Sequence, residues 1–163
     1  MWKYLFLLLF TGSIAVVWGH EGHHDVEEHL INWWDEVGKY HLVLLHFPIA
    51  LINMVGVAEG LSLFSRRLIF ELSARFMLVS AAVLIVPTAI LGYVFSYSAP
   101  YEGAAQLLLN WHMWLGIATV AFTWVLAYLK EWGSSRGAYY SVLVLLLILV
   151  NSTCFVGGKM TFG

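Results

Sequence analysis

Residues 74–97 read ARFMLVSAAVLIVPTAILGYVFSY, and after Arg75 no charged residue occurs until Glu102. A run of about 20 apolar residues crosses about 30 Å of hydrocarbon at about 1.5 Å per residue. Three more such runs accompany it, at about 41–64, 107–129 and 139–156. Backbone N–H and C=O groups find no water in lipid, so each run must satisfy its own hydrogen bonds as a helix. The expected fold is all-α, an integral membrane four-helix bundle over residues 41–163. Pro87 falls inside the second run, where a lost hydrogen bond predicts a kink. Pro48 falls within two turns of the start of the first run, where a missing N–H matters less.

Composition points the same way. The chain has 163 residues, 61% of them hydrophobic and 11% charged, with a mean hydropathy of +0.80. A soluble domain carries about 25% charged residues, so a soluble globular domain and a disordered chain are excluded. A net charge of −2 supplies no basic patch for nucleic acid. Cys154 is the single cysteine, which excludes an internal disulfide framework and a multi-cysteine metal site. Eight Trp and eight Tyr suit the aromatic belts of a bilayer protein.

The linkers predict orientation. Arg66 and Arg67 lie in the first, with Arg75 just beyond, and Lys130 and Arg136 in the third. The second, near residues 98–106, carries only Glu102. Positive charge stays cytoplasmic, so the first and third linkers are expected inside, and the second linker and both ends of the mature chain in the periplasm. Lys159 alone dissents.

Residues 1–19 read as a signal peptide. Lys3 precedes an apolar run from Tyr4 to Val17, and Val17-Trp18-Gly19 offers a cleavage site that leaves His20 first. An uncleaved anchor is the alternative. Residues 20–40 form a periplasmic, His-rich segment. The amine and imidazole of a cleaved His20, with His23 or His24, would make a weak copper or zinc site. A solvated metal-sticking tail, with His29, is the alternative. Val26 to Tyr40 reads as a short amphipathic helix in the interface, with Trp33 and Trp34 at headgroup depth.

Ionisable groups at membrane depth are costly and therefore functional candidates. His46 and His112 each lie about five residues into a helix that starts on the outer side. At equal depth on parallel helices they predict axial ligation of a single b-type haem. Asn53 shares the stripe of His46, and Gly116 that of His112, where it leaves room for a flat ring. Two other readings of the pair stay open: structural hydrogen bonding and proton handling. Glu59, near the inner end, is expected to pair with Arg75 or Arg67. A haem would make the chain an electron-transfer module for a quinol or a periplasmic redox protein. The rival functions are copper or zinc handling and a non-catalytic subunit of a membrane complex. No nucleophile with its base and no open metal motif marks an enzyme.

His46-Phe47-Pro48-Ile49-Ala50-Leu51, followed by Glu59, resembles the opening of a bacterial four-helix membrane family, domain of unknown function 2231. Thr88 to Tyr93, with Gly92, resembles its second helix, and Asn110-Trp111-His112 the start of its third. Gly157-Gly158-Lys159 and Gly163 resemble its small-residue tail. The resemblance covers about residues 41–163 and implies an inner-membrane module with intramembrane histidines at His46 and His112. Members joined to Rieske or cytochrome c domains lean the family towards redox work. The His-rich segment before residue 41 departs from the family pattern.

Overall fold

The computed structural model describes residues 33–163, apart from residues 66, 98–100, 134 and 163 and the side chains of Trp34 and Asp35. The expected signal peptide, its cleavage site, His20, His23, His24 and His29 lie outside the described residues. Five helices follow in order: α1 Trp33–Leu44, α2 His46–Phe64, α3 Leu68–Phe95, α4 Ala104–Trp132 and α5 Arg136–Phe162.

The boundary between α1 and α2 is a proline effect. Pro48 has no N–H, so the Leu44 carbonyl loses its i+4 donor. The backbone nevertheless stays helical at Leu45 (φ −59°, ψ −28°), and the Leu45 N–H still reaches the His41 carbonyl at 2.9 Å. Together the two helices make one membrane span, Glu36–Phe64. The described part of the expected interfacial helix, from Trp33, thus runs into the amino-terminal end of the first span. Gly38 explains how it is held. It is buried, and a Cβ there would lie 2.9 Å from Phe95 Cα. Gly38→Leu should push α1 off the end of α3 and lower the unfolding temperature in detergent. Gly60→Ala, whose Cβ meets nothing within 4 Å, should hold or raise it, by up to about 1 kcal/mol of helix propensity.

α3, α4 and α5 supply the other three spans, each long and apolar enough to cross a bilayer. α3 runs through Pro87. Gly103, with φ +57°, turns the chain into α4 in a conformation that side chains disfavour. The helices outlast the apolar runs, because hydropathy marks the lipid and polar flanks such as Gln106 and Lys130 continue the helix past it.

Helices consecutive in the chain are neighbours, and α5 closes back on α2. The first and third spans lie across the diagonal, with no close backbone approach among the described residues. Buried positions recur at alternating steps of four and three: Ile52, Val55 and Glu59 on α2, Leu78, Ala81, Ile85 and Thr88 on α3. Thr119, Thr123 and Leu126 on α4 and Leu143, Leu146 and Val150 on α5 repeat the rhythm. Such a seam packs knobs into holes along the bundle axis. At most 28% of any span's apolar window is buried, so each helix also presents an apolar face outwards, with Phe76, Trp111, Trp114 and Phe155 exposed. Lipid tails are as apolar as leucine, so close packing and polar contacts hold such a bundle together.

Candidate functional site

Two polar clusters lie on the bundle axis, one near each end. Eighteen residues separate His41 from Glu59, and eighteen separate His112 from Lys130. Eighteen residues are five helical turns, so each helix presents both of its groups on one face, about 27 Å apart.

At the first end the rings of His41 and His112 meet across the diagonal, with centroids 6.5 Å apart and planes at 86°. Each ring leans on the span that follows its own, His41 on α3 and His112 on α5. His41 Nδ1 lies 2.8 Å from the Thr88 carbonyl, and His112 Nδ1 lies 3.1 Å from the Thr153 carbonyl. A carbonyl only accepts, so Nδ1 carries the proton in both rings and each neutral Nε2 keeps its lone pair. A glycine makes each lean possible. A Cβ on Gly92 would come within 2.8 Å of the His41 ring, and one on Gly157 within 2.9 Å of the His112 ring. Thr88 and Thr153 bond their hydroxyls back to the Leu84 and Leu149 carbonyls, at 2.7 and 2.8 Å.

At the other end Glu59 is 4% exposed. Its Oε1 accepts from Lys130 Nζ and from the Tyr139 hydroxyl, each at 2.7 Å, and its Oε2 from the Tyr140 hydroxyl at 3.3 Å. Three donors on α4 and α5 satisfy a carboxylate on α2. The expected partners of Glu59, Arg75 and Arg67, are not used: Arg75 pairs with Glu131, its Nε lying 2.6 Å from Oε1.

The structure does not bring His46 to His112. His46 is exposed, and its Nδ1 reaches only the Val43 carbonyl of its own helix, at 3.4 Å. Five residues turn a helix by about 500°, which is about 140° away from the face of His41. Starting the first helix at His41 made His46 level with His112. The helix begins at least two turns earlier, and His41 is the level residue. Gly116 faces open space, and Gly92 and Gly157 do the packing expected of it. Asn53 accepts from Asn151 Nδ2 at 3.1 Å, a contact between α2 and α5. Among the described residues no three His, Cys, Asp or Glu side chains group as a metal cage. A signal for His41 is present in the sequence: Thr88-x-x-x-Gly92 recurs as Thr153-x-x-x-Gly157, and the spacing from His41 to Glu59 recurs from His112 to Lys130.

A four-span helical membrane protein with an imidazole pair and an ion pair on its axis is the class that fold and site define. The family model described as predicted membrane protein (DUF2231) matches residues 39–163, and the chain belongs to that family. The matched region holds both clusters entire. No curated protein and no solved structure matches the chain.

Proposed function

We propose that the chain is an electron-transfer module of a bacterial inner membrane, holding one b-type haem between His41 and His112 on the periplasmic side. The observation that carries this reading is the meeting of two imidazoles from diagonal helices, each with its Nδ1 held by a carbonyl of a neighbouring helix. Were a metal held between the two rings, His41 and His112 would each offer it an Nε2 lone pair from opposite helices. Their Nδ1–H bonds to carbonyls are the outer partners that fix the tautomer of a ligating histidine and raise its basicity. Two neutral nitrogens suit the axial positions of haem, whereas zinc asks for three or four protein ligands. When bound, the haem supplies a one-electron couple. Sidedness follows from charge: Arg67, Lys130 and Arg136 mark the Glu59 end as cytoplasmic.

An open groove between α3 and α4, at the end of the bundle that carries the imidazoles, suits a quinol as the electron donor. It has a volume of about 640 Å³ and is lined by α3, α4 and their linker, within the usual range of about 300–1,000 Å³ for small-molecule sites. Leu109 and Met113 offer an apolar bed. The Tyr93 and Tyr97 hydroxyls, 2.7 Å apart, and the Gln106–Asn110 amide pair, at 3.0 Å, offer donors and acceptors for the two ring oxygens.

Protein purified in detergent after haem-supplemented expression tests this. The expected result is a Soret band and a reduced-minus-oxidised difference spectrum. A short-chain quinol should reduce the haem, and Tyr97→Phe with Asn110→Leu should slow that reduction at least about tenfold. A colourless wild type would overturn the haem reading.

A further inference from the structure

The two halves of the bundle follow one plan. Buried residues of the first span reappear on the third at a constant offset of 71: Pro48 and Thr119, Ile52 and Thr123, Val55 and Leu126. Those of α3 reappear on α5 at a constant offset of 65: Leu78 and Leu143, Ala81 and Leu146, Ile85 and Val150. The polar groups obey the same two offsets. His41 maps to His112 and Glu59 to Lys130, while Thr88 maps to Thr153 and Gly92 to Gly157. His46 maps to Ile117, and both are exposed.

Any up-and-down bundle relates its two hairpins loosely. A heptad seam is equally well packed when one helix slips by a turn, so packing alone does not fix the register. Here the imidazoles, the carbonyls that accept from them, the glycines beneath them and the ion pair all hold one register over five turns. Each pair that meets across the diagonal joins mapped positions: the rings of His41 and His112, and Glu59 with Lys130. That is the signature of an axis passing between the members of each pair.

We infer that the chain is an internal duplication of one helical hairpin about a two-fold axis along the bundle, and that Thr88–Gly92 and Thr153–Gly157 are equivalent positioning elements, one for each imidazole. Each hairpin thus carries a complete half-site: a histidine, the carbonyl that holds its Nδ1–H, and the glycine that lets the ring lie against the next span. A guest on the axis meets two like halves. The cofactor named above enters only as that guest; the duplication and the holding of each ring stand without it.

The inference predicts that changes at mapped positions act alike. In the full-length protein, Gly92→Ala and Gly157→Ala each place a methyl against their own ring. Nitrogen-15 NMR of the imidazoles should show Gly92→Ala moving His41 Nδ1–H and Gly157→Ala moving His112 Nδ1–H. The two variants should lower haem occupancy by factors within about twofold of each other, while Gly158→Ala, whose Cβ meets nothing within 4 Å, changes neither readout. One variant acting alone, neither acting, or Gly158→Ala acting as strongly would overturn the inference. NMR reads the rings in haem-free protein too, so a colourless wild type would defeat the haem and leave this test intact.

A second pair of variants covers the case in which the alanines prevent folding. Glu59→Lys and Lys130→Glu should each reduce membrane accumulation to below about a tenth of wild type. Combined, they exchange mapped positions and should restore at least half, since the Tyr139 and Tyr140 hydroxyls accept from a lysine as readily as they donate to a carboxylate. A double variant no better than the worse single would contradict the axis.

Discussion

His41→Ala and His112→Ala should each abolish the low-spin, two-imidazole spectrum of the purified protein and lower its haem content, and His46→Ala should leave both at wild-type level. The contrast is the largest effect the arrangement predicts, because a single remaining imidazole cannot give the two-imidazole spectrum and would hold haem as a one-histidine site. With one imidazole gone, the remaining ring offers a single nitrogen. His46 is the control that sequence alone would have chosen as the ligand. Its ring lies on the outer face, bonded to its own helix. Replacing it removes neither a ligand nor a carbonyl partner of one. Haem content per polypeptide and the absorption spectrum measure all three variants. Equal loss in all three, or loss only in His46→Ala, would contradict the assignment of His41.

Loss of either member of the inner ion pair should destabilise the bundle more than any single core truncation. The side chains of Lys130 and Glu59 are 15% and 5% exposed. Removing one partner from a buried pair leaves the other charge uncompensated, at about 3–5 kcal/mol. Lys130→Ala and Glu59→Ala should therefore unfold at markedly lower temperature in detergent, while Tyr139→Phe, which deletes one hydrogen bond to a charged group, loses about 1.5–3 kcal/mol. Replacing both partners, as Glu59→Leu with Lys130→Met, removes the desolvated charges together and should recover most of the loss. Thermal unfolding followed by circular dichroism separates these cases. A double variant as unstable as the singles would show that the pair does more than satisfy itself.

The spans were legible because hydropathy and length are additive along the chain and need no partner. Their ends were less so, since Lys130, Glu131 and Lys159 lie in helix yet outside any apolar run. Which histidine faces the axis is a matter of helical phase, and phase depends on where a helix starts. Taking His41 as the first residue placed His46 one turn in. Trp33–Leu44 continues the same helix outwards, held by Gly38 against Phe95, and shifts the level residue back to His41. The partner of Glu59 was hidden for a different reason. Arg75 is nearer in sequence, but it stands on an outward position of α3 and pairs with Glu131, whereas Lys130 stands on the inward seam. The recurrence of Thr-x-x-x-Gly and of the eighteen-residue spacing held the needed information, because a repeat reports register where periodicity within one helix does not.

Low-temperature electron paramagnetic resonance of the oxidised, purified protein tests the pairing of His41 with His112 most directly. Were His41 and His112 both to hold a haem iron, it would be low-spin, and ring planes kept near the 86° they show here would give a strongly anisotropic ferric signal. The account predicts a low-spin ferric signal of strong anisotropy. A high-spin ferric signal, a rhombic low-spin signal of the kind given by parallel rings, or no haem signal at all would contradict it.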